Sequence, residues 1–154
     1  MRTAEELRYL ILAAQREGSR SLSELLKPIG LTTSQSEVLR VLHDYEPLSL
    51  IELGDLLVCE TGSPSRLVNR LVDSGFIEQQ RSLEDSRKVK LTLTQAGRDA
   101  VTKIVKAEQK MYASIDSLTK GVPVQAFIDM LWKQIAGKPS GNALARRKQR
   151  TPGD

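Results

Sequence analysis

The 154-residue sequence holds one cysteine, one histidine, one tryptophan and two phenylalanines. A single cysteine excludes an internal disulfide, and with a single histidine it excludes an ordinary zinc site. No Ser/His/Asp or Cys/His set, close carboxylate pair or phosphate-binding loop is present, so the sequence does not read as an enzyme. Neither a cofactor nor a metal is expected. His43, with Asp44 and Glu46 nearby, stands at a helix end before Pro47 and reads as a surface or capping residue. Aromatic residues make up only 4%, so aliphatic side chains must build the core. No apolar run approaches the roughly 20 residues of a membrane span. The N-terminal MRTAEELRYLILAAQ interleaves charged and apolar residues, unlike a signal peptide. The expectation is a cytoplasmic protein without membrane contact.

An excess of positive charge is present but local. The net charge is +4, and Lys138, Arg146, Arg147, Lys148 and Arg150 against Asp154 account for all of it. Residues 1–137 are formally neutral, so any nucleic-acid reading must rest on where charges are placed.

Helical signals open the chain. Thr3 and Glu6 have the spacing of a capping box. Leu7, Leu10, Ile11, Ala14, Gly18, Leu22, Leu25 and Leu26 then recur at three- and four-residue steps, until Pro28 and Gly30 stop the helix. Its length exceeds what a compact domain needs, which points to packing on a second copy. Three short helices follow. Thr32 and Gln35 start one, Ser49 and Glu52 start the next, with Ile51, Leu53, Leu56 and Leu57 as its apolar residues. Ser63 and Pro64 start the third, over 65–74, which Gly75 closes. The period then changes to two. FIEQQRS and KVKLTLT flank a LEDS turn, with Val89, Leu91 and Leu93 on one face. Thr94 caps a long helix to about Leu118. Pro123 opens a last helix carrying Phe127, Ile128, Leu131, Trp132 and Ile135, residues read as interface core.

Three short helices followed by a two-stranded hairpin make a winged helix-turn-helix arrangement. The fold class is therefore mainly α with a small β-hairpin. Residues 1–30 form an N-terminal dimerisation helix and 31–94 the winged unit. Residues 95–137 form C-terminal dimerisation helices and 138–154 a basic flexible tail. In the third helix of the unit, Leu67, Val68, Leu71 and Val72 face inward. Arg66, Asn69, Arg70 and Asp73 share the opposite face. Arginine can fork onto guanine and asparagine can pair with adenine in a major groove. Ser63, Pro64 and Ser65 open that helix, where free N–H groups attract a phosphate. The hairpin adds Arg81, Arg87, Lys88 and Lys90, with Glu84 and Asp85 at its tip. Such a wing can follow the backbone and place an arginine in a narrow minor groove.

These residues carry a resemblance. LTTSQSEVLRVL, SLIELGDLL, PSRLVNRLVDSGFIEQQ and EDSRKVKLTLTQAGRDAV, within about residues 31–101, resemble the MarR family of bacterial transcription regulators. The most specific piece is Asp85-x-Arg87 followed by Leu93-Thr94-x-x-Gly97. The resemblance implies a homodimer with interlocking terminal helices, bound to a pseudo-palindromic operator in double-stranded DNA. It implies that Arg87 enters the minor groove, oriented by Asp85, and that Ser63 to Arg70 begin the recognition helix. The stretch Val58–Gly62 is longer than a tight turn. Family members lose DNA affinity on binding a small phenolic or lipophilic effector, or on cysteine oxidation. Cys59 is thus a candidate redox sensor, set against the plainer reading of a small buried hydrophobe. Leu10, Ala14, Leu39, Leu42 and Met111 are candidate walls of an effector pocket, set against the plainer reading of core. The function expected is a dimeric regulator, with repression as its mode. The competing reading is a winged-helix module that meets an acidic protein in place of DNA.

Overall fold

The computed structural model describes residues 1–59, 62–81, 83–85 and 88–149. Arg87 and Arg150 lie outside the described residues. Helix α1 spans Thr3–Leu26, and a 3₁₀ turn over Lys27–Ile29 leads to Gly30 in the left-handed conformation at φ 74°. Helices α2 (Thr33–Tyr45), α3 (Leu50–Gly54) and α4 (Pro64–Asp73) follow. Strands β1 (Ile77–Arg81) and β2 (Val89–Leu93) pair antiparallel, with Ile77 opposite Leu93 and Arg81 opposite Val89. Helix α5 (Gln95–Thr119), α6 (Val124–Ile135) and α7 (Pro139–Gln149) complete the chain.

The element starts follow from side chains that satisfy free helix N–H groups. The Thr32 hydroxyl accepts from Gln35 N–H at 3.2 Å, Ser49 from Glu52 N–H at 3.2 Å, and Thr94 from Gly97 N–H at 3.1 Å. At α1 the expected Thr3–Glu6 pair is displaced by one residue. Arg2 is the cap, its N–H donating to Glu5 Oε2 at 3.4 Å, and Thr3 is already helical.

One aliphatic core joins the winged unit to the first half of α5. Leu39, Leu42, Leu53, Leu71, Leu91 and Ile104 are fully enclosed there. Leu48 bridges to Leu91 through two backbone hydrogen bonds, so the chain between α2 and α3 serves as a third edge to the hairpin. The expected apolar side of α3 is corrected at Ile51, which is 79% exposed. Ile51 and Leu53 are two residues apart on a helix and cannot both face the core. To this core α1 contributes only Leu26 as a buried residue, and α6 buries no residue.

The expected flexible tail is also corrected. Residues 139–149 form α7, in which Gly141 and Ala143 are buried. PSGNALARRKQ has too few apolar residues to announce a helix by periodicity. Its hold on the rest of the chain is through arginines, described below.

Candidate nucleic-acid interface

Helices α3 and α4, joined by residues 55–63, form the helix-turn-helix, with α4 as its second helix. One side of α4 is fixed by apolar packing: Leu67, Val68 and Leu71 are buried. That fixes the other side outward, and Arg66, Asn69, Arg70 and Asp73 are all exposed, as the spacing predicts. The side chains of Arg66, Asn69 and Arg70 take no part in the ion pairs or side-chain hydrogen bonds among the described residues. The charge on this stripe is therefore presented to solvent. At the start of α4, Ser63 does not cap the helix with its hydroxyl. The Ser63 and Ser65 hydroxyls instead face each other at 2.6 Å, and Pro64 occupies the first turn. The two serines form one polar cluster at the positive end of the helix.

The hairpin stands beside α4. Leu50, Ser65, Val68, Asn69, Gln79, Val89 and Leu91 line a shallow cleft of about 140 Å³ where α3, α4 and the sheet meet. Arg81 and Lys88 are exposed. Lys88 N–H donates to Asp85 O at 2.9 Å, which closes the described part of the tip. Lys90 has a partner within the chain: its Nζ meets Glu52 Oε2 at 2.8 Å and ties the wing to α3. That hydrogen bond, with the Ser49 N–H on the same carboxylate, holds Glu52 down at about 2.

Sequence reasoning missed the supports of this interface. Glu46 at the end of α2 accepts from Leu93 N–H at 2.6 Å and pairs with Arg98 at 2.5 Å, fixing the base of the wing against α5. Gly97 lies so close to the hairpin that an added Cβ would stand 2.2 Å from the Phe76 carbonyl oxygen. Arg40 Nε donates to Glu108 Oε2 at 3.1 Å, linking α2 to the middle of α5. Burial pushes the Glu108 carboxyl above the ordinary range against the pull of Arg40. Only the Gly97 support had a signal, its spacing from Thr94. The ion pairs join residues far apart in sequence.

The two expected control sites fare differently. Cys59 reaches solvent just ahead of α4. Partial burial of the thiol, then the Glu37 carboxylate beside it, push its pKa up to about 11. The candidate pocket walls differ in exposure within the single chain. Leu39 and Leu42 are fully buried core, as the plainer reading had it, while Leu10 is 59% exposed on α1. Ala14 is exposed and Met111 half-buried.

Similar proteins agree with this geometry. The sequence profile of the MarR family matches residues 31–89. The organic hydroperoxide resistance transcriptional regulator of Bacillus subtilis is 30% identical over 63% of this chain, and the match spans 66% of that relative, just under two thirds. The regulator MgrA of Staphylococcus aureus is 31% identical over 75% of this chain and 79% of its own length. A MarR mutant from E. coli, solved in complex with operator DNA, superposes with a TM-score of 0.70 at 26% identity, covering 85% of this chain and 94% of that one. No described helix is long and apolar enough to cross a membrane. With a winged helix-turn-helix in place, an exposed basic stripe on its second helix and these relatives, the chain belongs to the MarR family of transcription regulators.

Proposed function

We propose that the protein is a homodimeric, sequence-specific DNA-binding repressor that works in the cytoplasm on a pseudo-palindromic operator. The observation that carries the reading is α4: its apolar side is locked into the core, and Arg66, Asn69 and Arg70 face outward together. Arg66, Asn69 and Arg70 read base edges, the Ser63–Ser65 cluster holds a phosphate, and Arg81 and Lys88 run along the backbone. Arg87, oriented by Asp85, takes the minor groove. The wing uses Lys90 through its tie to Glu52, which sets the angle of the hairpin.

The dimer reading rests on what the single chain leaves uncovered. Leu7, Leu10, Ile11 and Leu12 on α1, Ile115 and Leu118 on α5, and Phe127, Ile128 and Met130 on α6 are each more than a third exposed. A helix such as α6, with no fully buried residue, gains little from packing within one chain and much from a second copy that covers it. Trp132, half-buried on α6, belongs to the same surface. The seam between two copies is then also the place for a small lipophilic or phenolic effector. Leu10 and Met111 are available to line it, whereas Leu39 and Leu42 are not. Oxidation of Cys59 is the weaker form of control, because a thiol held near 11 is almost wholly protonated at neutral pH.

Selection from a random duplex library at moderate salt tests the reading. Enrichment of a pseudo-palindrome with half-sites about one helical turn, roughly 10 base pairs, apart is the expected result. No enrichment from folded, reduced protein would overturn DNA binding and favour an acidic protein partner for the basic stripe.

A further inference from the structure

The segment Asp55–Cys59, which leads from α3 toward the recognition helix, is gripped from two sides. On α2, the Glu37 carboxylate is 9% exposed and accepts Val58 N–H at 2.9 Å and Cys59 N–H at 2.7 Å. From α7, Arg147 Nε donates to Leu56 O at 2.7 Å, and its Nη2 pairs with Glu37 Oε1. The neighbouring Arg146 Nη1 meets Asp55 Oδ2 at 3.1 Å and Asp55 O at 3.3 Å. The hydroxyl of Tyr45, at the end of α2, donates to the Arg147 carbonyl at 3.2 Å. The two carbonyls taken by the arginines, of Asp55 and Leu56, lie at and just past the C-cap of the short α3. α7 is thus a strap that returns, after α5 and α6, to the helix-turn-helix.

We propose that Arg147 is a positioning residue for DNA reading, the strap's guanidinium fixing the Asp55–Cys59 segment through Glu37 and so setting where α4 begins. This inference rests on the DNA-binding reading above. Glu37 is nearly buried, and its charge needs a cation at hand. Arginine meets two requirements at once: one arm on the carboxylate and another on the Leu56 carbonyl. Lysine keeps the charge but lacks the planar fork that spans both acceptors. Without the guanidinium, Glu37 is left uncompensated beside the two N–H groups that it orients, and the segment loosens. The fork touches protein only, so its effect on DNA is indirect.

The test uses the full chain carrying Arg147→Ala, Arg147→Lys or Glu37→Gln. Amide exchange at Val58 and Cys59 is read by NMR. Affinity for the selected operator is read across a salt series, and folding by thermal unfolding. In Arg147→Ala, exchange at both amides is expected to quicken and operator affinity to fall about tenfold. The slope of log affinity against log salt stays as in the wild type, because no phosphate contact is lost. Arg147→Lys should fall between, and adding Glu37→Gln to Arg147→Ala should cost little more. Should Arg147→Ala fail to fold, Arg147→Lys and Glu37→Gln carry the same readouts. Unchanged exchange and unchanged affinity in a folded variant would overturn the proposal. So would a flattened salt slope, which would put Arg147 on a phosphate. If the wild-type chain binds no duplex, the DNA reading falls on its own; quickened exchange would then still support the strap, and unchanged exchange would overturn it.

Discussion

At the scale of single residues, the interface is a matter of which charges are left unspent. Arg70 sits exposed in the last turn of α4 with its inward neighbours Val68 and Leu71 packed, so Arg70→Ala removes a proposed reading group without disturbing the core. Specific operator affinity should weaken by about 1–3 kcal/mol, measured by titration at fixed salt, with thermal stability unchanged. Cys59 offers a prediction of opposite kind. Its thiol is neutral up to about 11, because burial and then Glu37 disfavour the thiolate. Alkylation by iodoacetamide should therefore be slow at pH 7–8 and keep rising toward pH 11, and Glu37→Gln should shift that profile to lower pH. A profile levelling near the pH of an ordinary thiol would contradict the placement. That Arg66, Asn69 and Arg70 share the exposed side of α4 was legible in the sequence, because a helix sorts its faces by spacing alone. The environment of Cys59 was not, since Glu37 and Arg147 approach it only through the fold.

At the scale of elements, legibility tracks how local the cause is. The starts of α2, α3 and α5 are written in Thr32, Ser49 and Thr94, each bonding three residues ahead. The hairpin register follows from alternation. The α7 helix is invisible to such reading, because Arg146 and Arg147 find their partners on α2 and in the segment after α3. Two elements make sharp tests. Gly97→Ala would drive a Cβ to 2.2 Å from the Phe76 carbonyl and 3.2 Å from Leu93 Cδ2, parting α5 from the hairpin. Thermal and urea unfolding should show a loss of about 1–3 kcal/mol or more. The Glu52–Lys90 tie links the wing to α3. The Glu52 carboxyl is depressed from 4.5 to about 2 in the folded chain, so its contribution to stability is complete above about pH 5 and is lost as pH falls toward 2. The pair is half-exposed and modest in size. Urea unfolding of wild type and Lys90→Met should differ at pH 6 and converge near pH 2.

At the scale of the whole molecule, the division is between a core that one chain completes and a surface that it does not. The winged unit and the first half of α5 enclose their aliphatic side chains. The outer part of α1, the end of α5 and the Phe127, Ile128 and Met130 side of α6 leave theirs in the open. The sequence pattern already separated these regions, because stripes too long for one domain implied a second copy. It did not show that the same stripe changes role along α1, from open surface at Leu10 to core at Leu26. Ile128→Glu, at a 41% exposed position, should convert a dimer to monomers in sedimentation velocity while leaving the winged unit folded. Operator affinity should fall with it, since two linked half-sites bind more tightly than two separate ones. A variant that still sediments as a dimer would move the interface away from α6.

The return of α7 has a consequence for any attempt to transplant specificity. Residues 31–101 look like a cassette that could be exchanged between relatives, carrying its own helices, wing and Glu37. The guanidinium that answers Glu37 lies far along the sequence on α7, after α5 and α6. A chimera assembled from the contiguous stretch alone would inherit a nearly buried carboxylate with no cation opposite it. A graft that keeps its footing must bring α7 along with the winged unit or redesign position 37.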